Sequence, residues 1–133
     1  MAQEKQFETK IRNFLHSQGI YDAGYPLQKM TVPTNGWYFK MWGGGMSKSG
    51  IPDLICCING IFVAIEVKAT NGKPSELQKL NVGRINLSRG IAVFAYPEGF
   101  EQLKKLIKGV IDAGGHLVEI ERLTNKYSNE IRG

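Results

Sequence analysis

The sequence predicts an α/β fold in which a mixed β-sheet is flanked by helices. Three observations carry that reading. Helical and strand-like stretches alternate along the chain. An Asn59-Gly60 pair lies between two apolar runs, the mark of a tight antiparallel hairpin. A helical stretch then separates the second hairpin strand from the apolar run that begins at Ile91, which favours a parallel, right-handed crossover between them.

Each element has its own warrant. Across 3–18, Phe7, Ile11, Phe14 and Leu15 recur at helical spacing, and Gly19 is placed to stop the helix. Residues 19–35, GIYDAGYPLQKMTVPTN, hold two prolines and no clear period, and read as a loop or irregular arm. GWYFKMW is aromatic and strand-like. It is followed by GGGMSKSG, a loop of four glycines with a basic centre. The hairpin comes next. KPSELQKLNVGRINLSRG reads as a helix with Ser75 as N-cap and Gly90 as stop. IAVFAY is a short apolar strand, and PEGFEQLKKLIKGVIDAGG an amphipathic helix that turns Phe100, Leu103, Leu106, Ile107, Val110 and Ile111 inward. HLVEI reads as a last strand before a polar tail.

The length of 133 residues fits one domain, 1–133, with its main body over about 3–112 and the last strand and tail over 113–133. Seventeen Lys and Arg stand against twelve Asp and Glu, a net charge of +5 that suits a polyanionic partner. Cys56 and Cys57 are neighbours on one strand and point to opposite faces, so they form neither an ordinary disulfide nor a metal pair. A reducing cytoplasm is the expected setting. MAQEKQFETK has no apolar leader core and no run approaches membrane-spanning length, so the expectation is a soluble intracellular protein with no membrane partner.

The hairpin raises a chemical question. Counting outward from Asn59-Gly60 pairs Ile58 with Ile61, Cys57 with Phe62, Cys56 with Val63, Ile55 with Ala64 and Leu54 with Ile65. The next pair is Asp53 with Glu66, which sets two acids about 5 Å apart at Cβ. Lys68, two residues beyond Glu66, faces the same side. Like charges directly opposed destabilise a sheet unless something compensates. One carboxylate can keep a proton, Lys68 can neutralise part of the charge, or a divalent cation can sit between the acids. Mg²⁺ is commonly held by few carboxylates and several waters. Acids at strand ends are also often simply solvated, and an Asp after Pro52 is an ordinary turn residue.

IPDL followed thirteen residues after Asp53 by Glu66-Val67-Lys68 resembles the PD-(D/E)XK nuclease signature. The wider text, KMWGGGMSKSGIPDLI and FVAIEVKATNGKPSELQ, is similar to the virus-type replication/repair nuclease (VRR-Nuc) branch, particularly its small stand-alone phage members. The resemblance implies a restriction-endonuclease-like core and a metal-dependent DNA endonuclease. Asp53 and Glu66 would hold Mg²⁺, with Mn²⁺ able to substitute, and the Val67 carbonyl would be a third ligand. Lys68 would position or activate the attacking water, and Gln78 would orient Lys68 or that water. Family spacing places a further acid on the first helix at Glu8, with Glu4 one turn earlier as the alternative. The resemblance further implies a homodimer acting on branched DNA, a four-way junction or a flap, and a phage-encoded protein acting in its host's cytoplasm.

Around this centre, Ser47, Lys48 and Ser49 of the glycine loop are expected to contact DNA, as are Lys40, Lys73 and Arg84. The loop lacks the spacing of a nucleotide-binding P-loop, so no nucleotide cofactor is expected. Trp37, Tyr38, Phe39 and Trp42 could stack on unpaired bases, but residues of this kind beside a core are more often packing. Lys104, Lys105 and Lys108 read as a solvated helix face, and His16 and His116 as surface or structural residues. Two further functions compete: a non-catalytic DNA-binding module on the same fold, and a sequence-specific restriction-type enzyme.

Overall fold

The computed structural model describes residues 2–31, 33–42 and 50–113. Helix α1 spans Ala2–Ser17 and is followed by strand β1 (Ile20–Asp22), a short 3₁₀ turn (Leu27–Lys29), and strands β2 (Gly36–Lys40), β3 (Leu54–Ile58) and β4 (Ile61–Val67). Helix α2 (Glu76–Leu87), strand β5 (Ile91–Ala95), a 3₁₀ turn (Pro97–Gly99) and helix α3 (Phe100–Asp112) complete it. The five strands form one mixed sheet in the order β1-β2-β3-β4-β5. β1 runs parallel to β2, β2-β3-β4 are antiparallel, and β4 and β5 are parallel. No helix among the described residues is long and apolar enough to cross a membrane.

Side-chain alternation divides the sheet into two chemically different faces. Ile58, Cys56 and Leu54 pair with Ile61, Val63 and Ile65, and Tyr38 pairs with Cys56. These residues pack with Phe7, Ile11 and Leu15 of α1 and Leu103, Ile107 and Val110 of α3 in the apolar core. The opposite face carries Phe62, Ala64 and Glu66 of β4 and receives α2, none of whose residues is buried. Instead of an apolar stripe, α2 uses directed polar contacts. The Asn86 amide accepts from the Ala92 N–H at 2.8 Å and donates to the Ala92 carbonyl at 3.1 Å, fixing the helix to β5.

The hairpin forms in the register read from the sequence, from Ile58–Ile61 to Leu54–Ile65. Its turn residues Asn59 and Gly60 both have positive φ, +53° and +78°, as a type I′ turn requires. Asn59 has a second task. Its side-chain amide donates to the carbonyls of Val110 (3.1 Å) and Ile111 (3.0 Å), so the turn also satisfies the exposed end of α3.

Two expectations are corrected. Ile20–Asp22, within the stretch expected to be an irregular arm, forms β1 against Gly36–Tyr38, with Ile20 buried in the core. Three residues are too few to show a period, and the strand exists because β2 offers it a partner. Gly90 does not supply the left-handed stop of α2. Arg89 does, at φ +70°, and the Gly90 N–H closes the helix on the Ile85 carbonyl at 3.1 Å. Gly90 is small for a different reason, since a Cβ there would lie 3.0 Å from Ile85 and 3.3 Å from Phe62. The last strand and tail expected over 113–133 lie outside the described residues, apart from Ala113 itself.

Asn59→Gly keeps the turn conformation but removes both contacts to α3. Two part-buried hydrogen bonds predict a loss of about 2 kcal/mol in urea unfolding. An unchanged midpoint would show that Asn59 serves the turn alone.

Candidate active site

β4 delivers Glu66, and Lys68 just after the strand's last residue, to the α2 side of the sheet, at the end of the hairpin away from its turn. Both side chains are buried, Glu66 being 5% and Lys68 9% exposed. Buried charges of this kind demand partners, and α2 supplies one. Gln78 is the third residue of the helix, and its Nε2 donates to Glu66 Oε2 at 2.8 Å. Its Oε1 accepts from Lys68 Nζ at 2.8 Å and from the Ser75 backbone N–H at 2.9 Å. Lys68 Nζ also lies 3.2 Å from Glu66 Oε2. Two donors on one side and a carboxylate on the other permit only one orientation of the Gln78 amide.

That amide belongs to a capping box. Ser75 Oγ accepts from the Gln78 N–H at 3.1 Å while Gln78 reaches back to the Ser75 N–H. The geometry that starts α2 therefore also aims Gln78 at the acid and the lysine. Gly50 makes the close approach possible. Its φ is +70°, and a Cβ there would lie 2.8 Å from the Leu77 backbone and 2.9 Å from the Gln78 nitrogen. Only glycine meets both conditions.

Asp53 stands one residue beyond the last β3–β4 pair. Its Oδ2 accepts the Val67 N–H at 2.8 Å, so its side chain continues the ladder that its backbone has left. Its own carbonyl accepts from the Met41 N–H at 2.6 Å, tying it to the end of β2. The proximity of the two acids has an electrostatic consequence. The Glu66 carboxyl is pushed up to about 7, first by burial and then by the Asp53 charge, against the opposing hydrogen bond and charge of Lys68. In the absence of a cation this acid holds its proton to near neutrality.

The donor set fits a hard divalent cation. Asp53 and Glu66 provide carboxylate oxygens, and their mutual repulsion is what a cation would relieve. The Val67 N–H points at Asp53, and in extended backbone the carbonyl of the same residue points to the same edge of the strand. Glu8 is placed otherwise. Both its oxygens accept from Lys40 Nζ, at 2.9 and 2.7 Å, and Arg12 Nη1 lies 3.9 Å away. Lys40 pairs with Leu54 and so projects to the core face, opposite to Glu66. Among the described residues no group of three or more His, Cys, Asp or Glu is arranged to hold a metal ion. Asp53, Glu66, Lys68 and Gln78 are thus brought together, and Glu8 is not brought to them. Glu4 is half-buried on the same helix.

Of the residues expected at DNA, Ser47, Lys48 and Ser49 lie outside the described residues. Lys40 is engaged with Glu8. Lys73 is exposed, and Arg84 borders a groove beside Phe62 and Ile85. The aromatic residues divide: Tyr38 is fully buried, whereas Trp37 is 44% and Trp42 71% exposed. His16 is structural, bonded to the Tyr38 hydroxyl at 2.9 Å, and burial holds its pKa below the ordinary value. His116 lies outside the described residues. Burial pushes Cys56 up to about 12, which makes it an inert core thiol. Lys104 is less solvated than expected, since its ammonium lies 4.4 Å from the centre of the Phe100 ring.

Two residues that support the site were not singled out for it. Ser75 was legible as an N-cap, and the spacing Ser75-x-x-Gln78 is itself the capping-box signal. Gly50 carried no signal of its own, because its constraint arises from the later α2.

The raised Glu66 carboxyl fixes a pH dependence. Unfolded, it titrates near 4.5, and in the fold near 7, so the native state binds more protons between those values. Stability therefore falls as pH rises through that window, and the penalty is complete above it. Glu66→Gln, which mimics the protonated acid, should exceed the parent by roughly 3 kcal/mol above neutrality in EDTA, with the difference vanishing below about pH 4. Denaturant titrations across pH check this, and a pH-independent difference would contradict it.

The chain matches no family model, no curated protein and no solved structure.

Proposed function

We propose that this protein is a metal-dependent DNA endonuclease with a restriction-endonuclease-like core, hydrolysing phosphodiester bonds at the end of the β3–β4 hairpin. The observation that carries the reading is the pairing of half-buried Asp53 with buried Glu66, with Glu66 and Lys68 both bound to Gln78. A salt bridge built for stability alone would not oppose two acids and leave one protonated to near neutrality. The mixed sheet with this hairpin at its centre supports the core, and the net charge of +5 supports a polyanionic substrate.

Asp53, Glu66 and the Val67 carbonyl would hold Mg²⁺ or Mn²⁺. The chemistry such a cation supplies when bound is stabilisation of charge on the phosphate and easier deprotonation of water. The chain's residues do the rest. Glu66 must be ionised to bind the cation, which ties activity to pH values near and above 7. Lys68 Nζ directs one proton to Gln78 and one to Glu66, and its third can be aimed at water or a phosphate oxygen. Gln78 prevents Lys68 from collapsing fully onto Glu66 by taking a share of both. Its tie to the helix cap makes that arrangement rigid before substrate arrives. A branched substrate and a homodimer, in which two centres cut paired strands, complete the proposal. Retention of the whole acid–lysine–glutamine set weighs against a non-catalytic DNA-binding module.

The test is cleavage of labelled four-way junction, flap, single-stranded and linear duplex DNA with Mg²⁺ or with EDTA. Metal-dependent cutting is expected, strongest on a branched substrate, and Asp53→Ala and Lys68→Ala should each lower it by about 100-fold or more. Absence of metal-dependent cutting on every substrate would sink the enzyme reading. Full activity in either variant would sink the site.

A further inference from the structure

A second groove, of about 320 Å³, lies on the other side of the sheet between α1 and the end of β2. Its lining includes Lys5, Glu8, Arg12, Lys40 and Trp42. Two features set it apart from ordinary surface. Trp42 is 71% exposed, a large apolar ring left in water. Of the cations around it, Lys40 is paired with Glu8 and Arg12 with Asp22, which leaves the exposed Lys5 outside these pairs to meet an anion. Lys40 links the two, since its ammonium holds Glu8 and also lies 4.8 Å from the centre of the Trp42 ring. The position of Trp42 is held by its neighbour, because the Met41 N–H donates to the Asp53 carbonyl at 2.6 Å. The exposed indole is thus one residue from a backbone hydrogen bond to the candidate active site.

We propose that this groove binds one unpaired nucleotide of a DNA strand, with its base stacked on Trp42 and its phosphate beside Lys5. An aromatic face next to cations is how single strands are held, and every base presents a π-face once it leaves the duplex stack. A paired base presents none. The groove therefore selects strands that carry an unpaired base, as at a flap or a branch point. The ion pairs of Glu8 and Arg12 take a different part, keeping the cationic wall in place, with Arg12 also bonded to Asp22 at 3.0 Å and to the Tyr38 hydroxyl at 3.2 Å.

This subsite rests on the nuclease reading for its biological purpose, but its test does not need cleavage. The chain has two tryptophans, so in a Trp37→Phe background Trp42 is the sole indole. Titration with oligo(dT) in EDTA should quench its emission to saturation. In the otherwise wild-type chain, Trp42→Ala should weaken oligo(dT) binding about tenfold and leave blunt duplex binding within about twofold. Trp42→Phe, which keeps a stacking ring, should recover most of the loss and guards against misfolding. No quench, equal losses on single-stranded and duplex DNA, or a Phe variant as weak as Ala would overturn the subsite. Quenching without any metal-dependent cutting would uphold the subsite and remove the nuclease. Cutting of a flap unaffected by Trp42→Ala would do the reverse.

Discussion

The confrontation of Asp53 with Glu66 is the constraint to which the rest of this structure answers. A two-residue turn and five consecutive pairs of apolar or small residues bring two acids to the same end of a hairpin. The sheet cannot relieve the repulsion by moving one strand, because a slip of one residue would turn Ile65 and Val63 out of the core. Relief must come from chemistry: a proton on Glu66, the ammonium of Lys68, or a cation. The fold keeps the first two within reach.

Helix α2 makes sense in that light. It buries no residue, yet it is fixed at both ends by side-chain amides. Asn86 holds its C-terminal end to β5, and at the other end Gln78 joins the helix cap to Glu66 and Lys68. A helix docked through an apolar stripe tolerates sliding of a fraction of a turn, whereas one docked through directed hydrogen bonds does not. The arrangement also explains why the loop before Asp53 must pass so close beneath α2 at Gly50. The same economy holds at the turn, where Asn59 both adopts the left-handed conformation and ties β3–β4 to the end of α3.

Much of this was legible in the sequence because its causes are local. Asn59-Gly60 dictates a turn, the turn dictates the register, and the register sets Asp53 next to Glu66. Ser75 was legible as an N-cap, since capping depends on residues three apart. What escaped depends on partners far along the chain. β1 needed β2, sixteen residues on, to become a strand. The engagement of Glu8 by Lys40 joins residues 32 positions apart, and sequence spacing gives no hint of which cation an acid on α1 will meet. Trp42 is an aromatic at the end of an aromatic strand, so its exposure follows only once β2 is seen to end at Lys40.

The central claim of the proposal is that a divalent cation replaces the proton that burial and the Asp53 charge keep on Glu66. Proton release on metal binding measures that replacement directly. Calorimetric titration with Mn²⁺ at pH 6, in buffers of different ionisation enthalpy, should show release of most of a proton per ion, since a carboxyl near 7 is mostly protonated there. Release should fall toward zero by about pH 8.5 and disappear in Glu66→Gln. Tight binding at pH 6 with no proton release would contradict the account, because the cation would then be bound elsewhere.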